Sequence, residues 1–284
     1  MTSHFVHSME QLYSCFSWWQ SNSHQTPVLL IDNNGWGKNG DLRFPNSYVD
    51  GFVTTLVDAY GVYMTEPTDE TRGQSVIRTK GGLPHCMRSP QDAVKLLDVV
   101  YGFLRHNQTD QLSNNGKIPT MAGCPSPHNS SSKLPVIGFL NRVGGRHVEN
   151  ENEILKALQD ANTASDIRYL DSFDGMSFQE QVIFMAEVDV LIGPHGAQFA
   201  SIAFLPPCGG LVEFFPTGYF VPSYFGSLAA STGHSHVYIY TGNSTTREVD
   251  IPTHSKTYES RSAARAQKIH ANEYNVVQAV KMLP

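Results

Sequence analysis

The chain has 284 residues, length enough for two domains of about 150 residues or for one large one. Lys plus Arg number 20 against 26 Asp plus Glu, a formal net charge of −6, and these cations are too few and scattered for phosphate-backbone binding, which argues against nucleic acid as a partner. Apolar residues make up 40 %, so a sizeable core can be buried and disorder of the whole chain is excluded; no apolar run reaches the roughly 18 residues that a membrane span needs.

In chain order, His4 to Trp19 places Phe5, Met9, Leu12, Tyr13 and Phe16 at helical spacing on one face. Thr26 to Ile31 reads as a buried strand, Val49 to Tyr60 as a helix, and Gly61 to Met64 as a further strand. Ser89-Pro90-Gln91-Asp92 supplies a cap, a proline at the first helical position and an acid in the first turn, opening a helix to about Arg105. From Asn107 to Lys133 the composition turns to Asn, Ser, Gly and Pro, which marks a domain boundary or a surface loop and divides the chain into 1–133 and 134–284.

Beyond Leu134 strands and helices alternate. The strands are Pro135–Leu140, Asp166–Leu170, Val188–Ile192, Leu211–Phe215 and Val237–Tyr240. Between them lie a helix through Leu158 opened by a box-like Asn150 and Glu153, and one through Ala186 opened by the capping box Ser177-Phe178-Gln179-Glu180. A short helix from His195 and one over Ser223–Ala230 follow, and a helix from about Ser260 to Met282 closes the chain. This alternation predicts an α/β fold with a mostly parallel sheet covered by helices on both faces. In such sheets ligands bind beyond the carboxyl ends of the strands.

Three clusters fall at those ends. Asn141-Arg142-Val143-Gly144-Gly145-Arg146 sets two guanidinium forks beside a Gly-Gly turn, which suits a diphosphate; a solvated arginine turn accounts for it equally well. Gly193-Pro194-His195-Gly196-Ala197 has the small residues that let a phosphate or ribose approach a helix start, with His195 free to donate to a phosphate or move a proton. The plainer reading is a tight strand-to-helix turn. Glu213, inside Leu211-Val212-Glu213-Phe214-Phe215, is a carboxylate that needs a partner, either a ribose diol or a nearby arginine. The chain has no G-x-x-x-x-G-K-[ST] loop, no G-x-S-x-G elbow and no D-x-D triplet, and no G-x-G-x-x-G fingerprint opens the sheet that begins at Pro135, the run Gly35 to Gly40 lying outside it. These absences disfavour P-loop NTPases, nicotinamide dehydrogenases, α/β-hydrolases and transfer through a carboxylate-held divalent ion.

Cys15, Cys86, Cys124 and Cys208 are widely spaced, with no C-x-x-C pair of the kind zinc sites use. Two disulfides in any of three pairings, or four buried thiols, satisfy this spacing. Three sequons begin at Asn107, Asn129 and Asn243 in loop-like stretches, while Met1-Thr2-Ser3-His4 opens no signal segment. Together these suggest the secretory-pathway lumenal part of a longer precursor, in Golgi or ER.

The run of motifs from about Val136 to Tyr240 resembles glycosyltransferase family 61, the group of plant β-1,2-xylosyltransferases and the animal EGF-domain O-GlcNAc transferase. It is carried by Arg142 and Arg146, Glu149-Asn150-Glu151-Asn152-Glu153, Ser177-Phe178-Gln179-Glu180-Gln181, Asp189 to Ala197, Phe204-Leu205-Pro206-Pro207 and Val212-Glu213-Phe214-Phe215-Pro216. The resemblance implies a GT-B arrangement, two Rossmann-like domains facing a cleft, and inverting, metal-independent transfer from a UDP-linked sugar (xylose or GlcNAc) to a glycan or glycoprotein acceptor, with no cofactor. On that basis the donor is held by Arg142, Arg146, Gln181, His195, Gly196, Ala197 and Glu213, with Glu213 near the ribose, and the catalytic base comes from the N-terminal half: His4, His7 or Glu10. After Ala197 the chain carries Gln198-Phe199-Ala200-Ser201 where the family has Leu-Thr-Asn, which shifts a polar contact to Gln198 or Ser201. A catalytically idle relative that holds a nucleotide sugar or glycan, and an unrelated α/β enzyme with a phosphate-bearing substrate, are the alternatives.

Overall fold

The structure, a computed structural model, describes residues 5–20, 28–30, 47–60, 63–65, 87, 89–107, 134–242 and 257–283. In the N-terminal half these are helices α1 (Phe5–Gln20), α2 (Ser47–Tyr60) and α3 (Pro90–Asn107), with strands β1 (Val28–Leu30) and β2 (Tyr63–Thr65) paired in parallel. The start of α3 is as the sequence predicts: the Asp92 N–H donates to both the carbonyl and the hydroxyl of Ser89.

The C-terminal half is built on five strands, β3 (Val136–Leu140), β4 (Asp166–Leu170), β5 (Val190–Pro194), β6 (Gly210–Phe215) and β7 (Ser235–Tyr240). They form one sheet in the order β4-β3-β5-β6-β7, parallel throughout. The connections are α4 (Glu151–Asp160), α5 (Phe178–Ala186), a 3-10 helix (Ala197–Phe204) and α6 (Ser223–Thr232), followed after β7 by α7 (Tyr258–Ala266) and α8 (Glu273–Lys281). Because side chains alternate along a strand, the sheet feeds two cores. Ile137, Phe139, Val190, Ile192, Val212 and Phe214 pack with α4 and α8, whereas Leu140, Leu191 and Leu211 pack with α5, the 3-10 helix and α6. Gly138 is small because the Val188 methyls occupy the space a Cβ would need.

Helices α1, α2 and α3 extend the second of these cores: Met9, Tyr13, Phe52, Leu96 and Tyr101 join it, fully buried. Two phenols tie the layers together, Tyr13 donating to the Ala200 carbonyl and Tyr101 to that of Phe204, both at 2.7 Å. The described helices on either side of residue 133 therefore share one apolar interior. The stretch 108–133 and the sequon residues other than Asn107 lie outside the described residues.

Two predicted elements are corrected. Asn150 makes no side-chain cap on α4; its amide donates to the Ala271 carbonyl and to Glu273, and its Oδ1 accepts from Ala271 N–H, so this buried side chain clips two distant segments together. The expected last helix is two, α7 and α8, because Ile269 forms an isolated bridge to Val148 and Asn272 caps a fresh start. The Ser177–Glu180 capping box forms as predicted. Cys208 is disulfide-bonded, which excludes four free thiols, while Cys15 is a free, half-buried thiol and Cys86 and Cys124 lie outside the described residues. Among the described residues no helix is long and apolar enough to cross a membrane.

Candidate functional site

The chain leaves β3 for β4 on one side and then places β5 on the other, so the strand order reverses between β3 and β5. Such a reversal opens a crevice at the carboxyl ends of the two strands. Arg142 follows β3 and His195 follows β5, and across the crevice Arg142 Nη1 donates to the His195 carbonyl at 3.3 Å. The turn carrying Arg142 is fixed by buried Asn141, whose Oδ1 accepts from the N–H groups of Arg142 and Val148.

Arg146 ends that turn with φ +63°, a left-handed conformation that costs a non-glycine residue free energy. It is held there by its own N–H, which donates to the Gln267 carbonyl. Gly145 has no Cβ, and one would meet the Arg265 carbonyl oxygen at 2.5 Å, so its absence lets the end of α7 lie against the turn. Arg265 is delivered in this way. Arg146 and Arg265 both reach the Tyr219 ring, at 5.5 and 5.9 Å from its centroid.

Among the described residues no carboxylate forms a salt bridge with Arg142, Arg146 or Arg265. The Nε atoms of Arg142 and Arg146 are buried without a partner. Burial, and then the neighbouring charges of Arg142 and Arg265 working against Tyr219 and Glu213, together push the Arg146 guanidinium down to about 9. Arg142 is lowered by burial and by Arg265, with Asp174 and Tyr219 opposing. Three guanidinium groups that repel one another, with no salt-bridged carboxylate among the described residues, form a site for a multiply charged anion.

Glu213 lies on the sheet face covered by α6, with no exposed surface. Its Oε1 is 2.5 Å from His195 Nδ1 and its Oε2 is 2.8 Å from His236 Nε2. The carboxylate is thus shared by two imidazoles, rather than paired with an arginine or left open for a diol. Burial lowers the His195 pKa, Glu213 raises it, and Arg146 and Arg142 lower it again. A neutral His195 donating from Nδ1 leaves its Nε2 lone pair facing the Tyr219 hydroxyl, 3.4 Å away.

On the other side of Arg142 is a cavity of about 260 Å³, lined by Arg142, Gly196, Ala197 and Gln198 from the crevice, Ser172 to Met176 and Gln181 after β4, and Ser47 and Tyr48 at the start of α2. Gln198 donates to the carbonyls of Leu140 and Asn141 and so locks the 3-10 helix to the end of β3. Ser201 is buried beside Tyr48, away from the cavity lining.

Of the expected donor residues, Arg142, Gln181, Gly196 and Ala197 line the cavity, and Arg146, His195 and Glu213 gather with Tyr219 beside it. His7 and Glu10 stand on α1, their side chains outside the described residues, as is His4 altogether. Sequence reasoning missed Arg265, Tyr219 and His236. The model of the glycosyltransferase 61 family matches residues 75–212. The matched stretch is just under half of the chain. It contains β3 to the first half of β6, and with them Arg142, Arg146, Gln181 and the His195 loop. Over 83 residues the chain is 31 % identical to the EGF domain-specific O-linked N-acetylglucosamine transferase of Drosophila melanogaster. That alignment covers 29 % of this chain and 16 % of the fly protein, so the chain matches only a small part of this relative's length.

Proposed function

We propose that the chain is the donor-binding and catalytic part of a glycosyltransferase that moves a sugar from a UDP-linked donor to a glycan or protein acceptor. The observation that carries this reading is the convergence of Arg142, Arg146 and Arg265, unpaired by carboxylates, at the strand-order reversal of a family-61 segment. A nucleoside diphosphate leaving group takes up negative charge as the glycosidic bond breaks. Three preorganised cations stabilise that charge more in the transition state than in the ground state.

Glu213, held between His195 and His236, orients the His195 loop and offsets the cationic field before substrate enters. In an inverting, metal-independent transfer the acceptor hydroxyl attacks the anomeric carbon from the face opposite the diphosphate, and a base removes its proton. We assign that base to the N-terminal half, His4, His7 or Glu10. Two of these lie within two turns of Tyr13, which anchors α1 to the 3-10 helix beside the crevice. The second wall of a GT-B cleft and a lumenal setting in the secretory pathway belong to the same proposal; the Cys208 disulfide favours an oxidising compartment.

Release of UDP from UDP-xylose and UDP-GlcNAc, measured against glycan and peptide acceptors, tests the proposal. Acceptor-dependent release that falls at least a hundred-fold in Arg146→Ala supports it. Background release from a protein that binds UDP tightly supports the idle relative instead.

A further inference from the structure

The donor site reads as two compartments that meet at Arg142: the arginine cluster on one side and the cavity on the other. At about 260 Å³ the cavity is smaller than the roughly 300–1,000 Å³ of pockets that enclose a whole ligand, so it takes one end of a donor whose diphosphate lies outside it. Its lining combines the aromatic residues Tyr48 and Phe173 with the polar residues Ser172, Asp174, Gln181 and Gln198. Gln181 is 6 % exposed, and its amide nitrogen is committed to the Met176 carbonyl at 3.1 Å. Its Oε1 has no partner among the described residues, so it offers the cavity an acceptor. Asp174 is the cavity's carboxylate. The turn bearing it is fixed by the Asp174 N–H donating to the Ser172 hydroxyl at 2.9 Å and by Gly175 at φ +83°. Glu213, by contrast, has both oxygens engaged by histidines.

We infer that the cavity holds the nucleoside end of the donor, with Asp174 rather than Glu213 accepting from the ribose diol and Gln181 Oε1 accepting from a ring N–H of the base. This rests on the donor reading above and adds a specificity to it. Uracil presents a ring N–H on its hydrogen-bonding edge and cytosine presents a lone pair there, so Gln181 selects UDP over CDP; the small volume favours a pyrimidine over a purine.

Calorimetric titration of the full chain with UDP, 2′-deoxy-UDP, CDP and inorganic pyrophosphate separates the parts. The wild type is expected to bind UDP roughly ten-fold or more tightly than 2′-deoxy-UDP, the value of one lost hydrogen bond to a charged group. Asp174→Asn should erase that preference without weakening pyrophosphate binding, because it removes a negative charge beside Arg142, and Gln181→Leu should erase the preference for UDP over CDP. Asp174 is exposed on its turn, so the Asn variant tests the ribose contact even if Gln181→Leu fails to fold. If pyrophosphate binds and Asp174→Asn discriminates as the wild type does, the nucleoside assignment is overturned and the donor reading stands. If neither UDP nor pyrophosphate binds, the donor reading itself falls.

Discussion

Arg146 combines three costs in one residue: a left-handed backbone, a buried guanidinium whose Nε has no partner, and two like-charged neighbours. The bond to Gln267, the Tyr219 ring and the charge of Glu213 repay them only in part, which is the signature of a residue kept for its ligand. Arg146→Ala should therefore leave the melting temperature of the free protein unchanged or about 2 °C higher, as removal of one repelling charge outweighs the lost stem packing. A fall of several degrees, as for a core truncation, would show that the arginine is structural. At this scale the sequence reveals residue type better than partner. The buried Glu213 was legible as an acid needing company, but its partners were not. His236 lies on the neighbouring strand, 23 positions away in sequence, and only the β6–β7 register Leu211 to His236 brings it near. Arg265 escaped for a similar reason, sitting on a polar helix more than a hundred residues from the turn it completes.

At the level of elements, the two glycines after β5's core do different jobs. A Cβ on Gly193 would overlap the Leu140 carbonyl oxygen, a backbone atom that cannot move without parting β3 from β5. A Cβ on Gly196 would meet only Arg142 Nη1 at 2.9 Å, the far end of a flexible side chain. Gly193→Ala should thus cost about 3 kcal/mol of stability in denaturant unfolding. Gly196→Ala should fold normally and weaken nucleotide binding by displacing Arg142. Equal loss of stability in both would contradict this division. The three central strands, β3, β5 and β6, were readable because a parallel sheet buried on both faces leaves near-continuous apolar runs. The Asn150 cap was misread because an Asn before a helix looks the same whether it bonds the next turn or a segment 121 residues away. The break between α7 and α8 was hidden because the helical pattern continues through residues that Val148 draws into an isolated bridge.

For the whole molecule, a titrating group, His234, is buried at the end of α6, with its ring nitrogens bonded to the Thr232 hydroxyl and the Leu205 carbonyl. Burial lowers its pKa from 6.5 to about 4, against hydrogen bonds that pull the other way. The folded protein then lacks a proton that the unfolded chain binds between those values. Stability is full above about pH 6.5 and declines as pH falls toward 4, by about 3 kcal/mol from this residue. His234→Gln should flatten that part of the urea-midpoint profile between pH 7 and 4.5; an unchanged slope would remove His234 as its source.

The central claim is that the arginine cluster holds a nucleoside diphosphate. Calorimetric titration of UDP into the wild type and into Arg142→Ala and Arg146→Ala tests it most directly. Each variant should bind roughly ten- to a hundred-fold more weakly, the value of charge-assisted hydrogen bonds to phosphate. Wild-type protein that binds no UDP, or an Arg146→Ala protein that binds it as tightly as the wild type, would contradict the account.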